Sequence, residues 1–235
     1  MQSNTVRTFT FAFVMCVVCS ILLTAAAVGL KDRQQRNIRV DQQKNILKSM
    51  GMLESDRSYV SSEIESLYET SVQKQFVTAD GVLLDERQSD QDLEVFLLKK
   101  EGEIQRYAIP FKAYGLWSWV YGYFALQGDG RTVSGMTVYQ HGETPGLGGE
   151  CEKPWFQNQF KGKQIVDASG NFVSIGIAKG SIESSVPEAQ HGSYVDGMSG
   201  ATITSKGLEK YLKEVLAQYE PFSRKLREVV KNEAD

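Results

Sequence analysis

Residues 93–111 read LEVFLLKKEGEIQRYAIPF, and this stretch decides the fold class. The pattern changes period from Leu93, residues 94–99 read as a strand, Glu101-Gly102 is turn chemistry, and residues 106–111 return as the second strand of a hairpin. Towards the C-terminus, residues 115–126 (GLWSWVYGYFAL) read as a buried strand. Asp129-Gly130 is another hairpin turn, residues 132–139 alternate as a strand, and residues 172–178 read as one more. Residues 202–219 form the long helix of this region, with Leu208, Tyr211, Leu212, Val215 and Leu216 on one face and Pro221 expected to close it. Towards the N-terminus, residues 55–71 have helical spacing and residues 34 to about 52 read as a stalk helix ending near Gly51. The expected class is α+β, a twisted antiparallel sheet flanked by helices.

Ahead of this region, residues 9–30 (FTFAFVMCVVCSILLTAAAVGL) carry no charge and match a membrane-spanning helix of about 20 residues. A cleaved signal peptide is the rival reading, with Arg7 as its basic end and the alanines at 25–27 as its cleavage site. The apolar run continues past those alanines to Leu30, which favours a retained single-pass anchor. Residues 1–8 are then a short tail, 31–92 a helical stalk or linker, and 93–235 the folded domain. Lys31, Arg33, Arg36 and Arg39 follow the span, so charge alone would place that domain in the cytoplasm. Cys16 and Cys19 have C-x-x-C spacing inside the span and read as small apolar side chains.

The net charge of −3 argues against a nucleic-acid partner. Two histidines, His141 and His191, do not make a zinc site, and no metal ligand set is visible. Cys151 stands alone outside the span, so that part has no disulfide framework.

Two segments carry the chemistry. Residues 196–202 read DGMSGAT and sit just ahead of the long helix. Gly197, Gly200 and Ala201 let the backbone approach a ligand, Ser199, Thr202 or Thr204 can cap the helix, and the helix start offers free N–H groups to an anion. Lys206 lies one turn on and could neutralise a phosphate there. An ordinary loop-to-helix junction would look the same over so short a stretch. Residues 142–150 read GETPGLGGE, a Pro-Gly turn followed by a side-chain-poor surface suited to a flat ring. A plain surface loop is the alternative. No G-x-G-x-x-G follows a strand in this chain, so a Rossmann dinucleotide site is not indicated.

E-T-P-G-L-G followed about 50 residues later by D-x-x-S-G-A-T resembles the FMN-binding domain family, in particular the C-type subunit of the sodium-translocating NADH:quinone reductase. Residues 20–31, G-L-W-S at 115–118 and V-S-G-M-T at 133–137 extend the resemblance, while residues 50–95 do not contribute to it. The G-type subunit of the Rnf ferredoxin:NAD complex shares the motif and is the runner-up; an anchored module without redox function is the third reading. The resemblance implies FMN held covalently by a phosphoester bond to Thr202. Asp196, Ser199, Gly200 and Ala201 would be read by the flavin transferase that attaches it. Glu143, Thr144, Leu147 and Gly148 would lie near the ring, with Trp117 stacking or packing beside it and Lys206 near the phosphate. It further implies a single-electron carrier that is not active alone. Its setting would be a multi-subunit complex of the bacterial inner membrane, coupling NADH oxidation by ubiquinone to sodium export, with the large domain on the periplasmic side.

Overall fold

The computed structural model describes residues 2–54 and 57–234. The chain divides into two units, Met1–Asp41 and Gln42–Asp235. The first unit is helical. Its helix α1 (Gln2–Ser49) is long and apolar enough to cross a membrane, with a window of mean hydropathy 2.6. Phe9, Phe13 and Leu23 are about 70% exposed, an all-round apolar surface that hydrocarbon would cover. Sequence reading expected a span and a separate stalk helix; the structure joins them. Residues 31–41 contain no glycine or proline, and their charged side chains are good helix formers. The helix ends in a Schellman motif: the Gly51 N–H bonds to the Lys48 carbonyl, the Met52 N–H to the Leu47 carbonyl, and Gly51 has φ of +68°.

The second unit is built on a six-stranded antiparallel sheet in the order β2-β1-β3-β4-β5-β6. The strands are β1 (Val72–Val77), β2 (Leu83–Leu84), β3 (Leu93–Lys100), β4 (Glu103–Tyr114), β5 (Trp119–Gln127) and β6 (Val133–Gln140). The β3–β4 hairpin closes on Glu101 and Gly102, both with positive φ, as a type I′ turn requires. Helix α2 (Ser61–Ser71) leads directly into β1. The sequence-predicted helix over 55–71 is therefore shorter: residues 57–60 are not helical, and 55–56 lie outside the described residues. The expected helical stalk over 31–92 also needs correction, because β1 and β2 join the sheet at its edge. Lys74 and Gln75 disguise β1 as linker, yet Val72 and Val77 are buried.

Each face of the sheet has a cover. On one, Tyr107, Ile109, Phe111, Phe124 and Leu126 pack with Leu208, Leu212, Leu216 and Phe222 of helix α5 (Thr202–Ala234). On the other, the Met50 carbonyl accepts from Arg106 and from the Ser134 hydroxyl, and the Thr137 hydroxyl donates to the Asn45 carbonyl. Pro221 does not close α5 as expected but lies inside it. Tyr219, Phe222 and Ser223 around it are buried, and the Tyr107 hydroxyl meets Ser223 Oγ at 2.7 Å. That packing offsets the roughly 3 kcal/mol a helical proline costs.

Between β6 and α5 the chain is irregular, with short helices α3 (Pro154–Gln157) and α4 (Ile182–Ser185) and a parallel pair of two-residue strands, β7 (Gly176–Ile177) and β8 (Tyr194–Val195). The expected strand over 172–178 survives only as β7. Val173 and Ser174 both give their N–H to the Ile165 carbonyl, and Ser174 takes a φ of +69°, so neither can extend the strand.

Gly207 locks α5 against β4: a Cβ there would lie 2.0 Å from the Tyr114 carbonyl oxygen. Glycine to alanine inside a helix ordinarily stabilises by about 1 kcal/mol. Gly207→Ala is expected to do the reverse, lowering stability by about 1–3 kcal/mol through overpacking. Thermal unfolding checks this, and a raised Tm would contradict the close approach.

Candidate functional site

The site begins with a carboxylate. Glu143 is buried, 4% exposed, at the head of the loop after β6. Its carboxylate accepts the N–H groups of Leu116 (3.2 Å), Trp117 (2.8 Å) and Ser118 (2.9 Å) and the hydroxyl of Thr204 (2.7 Å). One side chain thus fastens the β4–β5 turn, its own loop and the first turn of α5. Burial alone would raise its pKa, but the bonds from Thr204, Trp117, Ser118 and Leu116 outweigh it and hold the carboxyl below its ordinary value. A Cβ on Gly148 would lie 2.4 Å from the same carboxylate, so a glycine is needed for the loop to close over it.

These three segments enclose a cleft of about 270 Å³. Trp117, Leu116, Leu147 and Ile203 line it and remain 68%, 44%, 43% and 60% exposed. Four large apolar side chains around one open concavity are uncommon on a plain surface. Thr202, the first residue of α5, is exposed in the cleft wall, and the Ala201 carbonyl accepts the helix's first bond from Ser205. The opening amides of the helix have no partner within it. Gly200 turns the chain into the helix with φ of +71°, and a Cβ there would meet Leu147 at 2.8 Å.

The FMN-binding domain family matches residues 115–217. A relative from Yersinia pestis, the C-type subunit of Na(+)-translocating NADH-quinone reductase, is 33% identical, the alignment covering 94% of this chain and 93% of the relative. The protein of the same name from Pseudomonas aeruginosa is 34% identical over 90% and 91% of the two chains. The crystal structure of the same protein from Parabacteroides distasonis matches at a TM-score of 0.70 with 32% identity, covering 83% of this chain and 96% of that one. This chain belongs to the family of these C-type subunits. The antiparallel sheet flanked by helices matches the fold of this solved member of the family, and the matched span 115–217 contains all three segments of the cleft.

Within this C-type fold the sequence-predicted residues separate into groups. Trp117, Glu143, Thr144, Leu147, Gly148, Gly200, Ala201 and Thr202 line one cleft. Glu143 lies there with its carboxylate turned inward as a clamp. Asp196 stands apart: its carboxylate accepts the Ile182 N–H at 2.7 Å and caps α4. Ser199 is exposed and caps nothing; the Ser205 hydroxyl reaches back instead to accept the Met198 N–H. Lys206, expected near a phosphate, pairs with Glu209 at 2.6 Å and does not line the cleft. No lysine or arginine lines it among the described residues. The expected strand over 115–126 starts only at Trp119, because the Glu143 carboxylate collects the amides of residues 116–118.

Sequence reading gave no site role to Leu116, Ile203 or His141 and offered Thr204 only as a helix cap. His141 accepts the Glu143 N–H at Nδ1 and meets Glu152 at Nε2, which makes Nε2 the protonated nitrogen and fixes the loop's entry. No periodic pattern marks such a residue, but its position two before Glu143 was a signal. His191 bonds to the Val186 carbonyl at 2.9 Å and does not line the cleft. Cys151, in the turn after Gly148, is fully buried, and desolvation pushes its thiol up to about 12.

Glu143→Gln puts an amide where four donors converge and is expected to cost about 1–3 kcal/mol at neutral pH. Because folding lowers the Glu143 pKa, its contribution is complete above the ordinary value of 4.5 and is lost as pH falls through the lowered one. The stability gap between parent and variant should therefore narrow below roughly pH 4. Chemical denaturation across pH measures it; a gap that does not depend on pH would contradict the clamp.

Proposed function

We infer that this chain is the electron-transfer subunit of a Na(+)-translocating NADH:ubiquinone reductase and carries FMN on Thr202 through a phosphoester bond. The observation that carries the reading is an exposed threonine at the first position of a long helix, in the wall of a cleft rimmed by unoccluded apolar side chains. The residues fit the group. Leu116, Trp117, Leu147 and Ile203 offer a flat ring an apolar seat, and the opening amides of α5 offer its phosphate hydrogen bonds and the positive end of the helix. FMN, when bound, supplies the capacity to pass electrons singly. The chain's own residues do the rest: Glu143 holds the three segments in register, and Leu147 and Trp117 exclude water.

Membership of the C-type family supports placing the chain in a membrane complex whose other members provide the NADH and ubiquinone sites. On this reading it is not active alone. A flavin transferase would read Asp196, Ser199, Gly200 and Ala201, two of which stand outside the cleft and so act before or apart from flavin seating. The large domain would lie on the periplasmic side of the inner membrane. Lys31, Arg33, Arg36 and Arg39 oppose that orientation, which partner helices would then impose.

Intact-mass measurement and peptide mapping after co-expression with the transferase test the assignment. An FMN adduct is expected on the peptide holding Thr202. In Thr202→Ala the adduct should vanish with stability changed by less than about 0.5 kcal/mol, as for other exposed positions. Covalent flavin retained in that variant would sink the reading. Leu147→Ala should leave attachment intact and shift the flavin potential, read by spectroelectrochemistry; an unchanged potential would remove Leu147 from the ring.

A further inference from the structure

Helix α5 carries a second set of side chains that the flavin reading leaves unused. Lys206, Lys210 and Lys213 recur at i, i+4 and i+7 on one helical face. All three border a cavity of about 620 Å³, more than twice the volume of the cleft at Thr202. Across from them stand Ser174, Ile175 and Tyr194. Ile175 is buried, and the Tyr194 ring lies so close over Gly176 that a Cβ there would come within 2.3 Å of it. Ser174 is 2% exposed, held at a φ of +69°, and its Oγ has no hydrogen-bond partner. Buried hydroxyls are nearly always paired; this one is not, and its residue borders the cavity.

Two carboxylates also border the cavity, and both are engaged. Asp167 accepts the amides of Ser169 and Asn171 at 2.8 and 2.9 Å. Glu209 pairs with Lys206 and accepts the Ile177 N–H at 3.3 Å. Lys210 makes a 4.0 Å surface contact with Glu214 and lies 5.5 Å from the centre of the Tyr211 ring, and Lys213 is exposed. Two exposed cations and one hydroxyl donor match a dianion with several acceptor oxygens, and the wall beside them matches an apolar ring.

We propose that this cavity binds an aryl phosphate monoester, the phosphate on Lys210, Lys213 and Ser174 and the ring on Ile175 and Tyr194. The site is separate from the cleft at Thr202 and does not depend on the flavin assignment. The test is calorimetric titration of the full chain, in non-ionic detergent, with phenyl phosphate. Saturable one-to-one binding is expected, weakened at least tenfold in Lys210→Gln/Lys213→Gln and weakened again at roughly 0.5 M salt. Both lysines are exposed, so the double variant should keep the parent circular dichroism and Tm. Thr202→Ala should bind like the parent, which separates this site from the flavin cleft. Ser174→Ala should weaken binding without loss of the fold. The proposal is overturned by absence of saturable binding, by binding indifferent to the lysine substitutions, by loss of binding in Thr202→Ala, or by inorganic phosphate binding as tightly as phenyl phosphate.

Discussion

The Glu143 carboxylate is the constraint on which the site depends. A buried anion persists only where hydrogen bonds replace the water it has lost, and here three backbone amides and a hydroxyl do so. Those donors come from two segments distant in sequence, and the acceptor comes from a third. The cleft is therefore shaped before any ligand enters it. The neighbouring glycines follow from the same need, since a Cβ on Gly115 or Gly148 would lie within 2.7 Å of the carboxylate. What reads in sequence as a glycine-rich turn is a space cleared around a charge.

The sheet and α5 supply the frame that makes such a clamp stiff. β4 is the centre of this frame: Tyr107, Ile109, Phe111 and Ala113 face the helix, and its last carbonyl meets Gly207. The chemistry lies just beyond, on the turn leaving β4, the loop leaving β6 and the first turn of α5. Irregular segments seated on a rigid scaffold are where binding residues concentrate.

Much of this was legible from the residues. The 93–111 hairpin declared itself through an apolar run, a Glu-Gly turn and a second run, because short-range turn chemistry and strand pairing agree there. The helix after Thr202 was visible in its leucine spacing. The segments that escaped reading were those in which tertiary contacts overrule local preference. Pro221 reads as a stop, yet buried Tyr219 and Phe222 carry the helix through it. Residues 116–118 read as strand, yet a carboxylate 25 to 27 residues away takes their amides. β1 reads as linker because a strand next to the sheet edge, with Gln73 and Lys74 exposed, needs few apolar residues. In the site, most cleft residues were named from two motifs, while the roles of Thr204 and His141 escaped because they exist only through Glu143.

The state of Cys151 has a bearing on how the domain can be handled and on what surrounds it. Only the thiolate exchanges with disulfides or captures an oxidant. A thiol sealed in the core and displaced to about 12 is silent at physiological pH. The other two cysteines, Cys16 and Cys19, lie within the apolar stretch of α1. The folded unit is thus chemically blank towards thiol reagents. A domain of this kind tolerates an oxidising compartment without a disulfide of its own, and a single cysteine introduced on its surface would be a unique point for attaching a spectroscopic label.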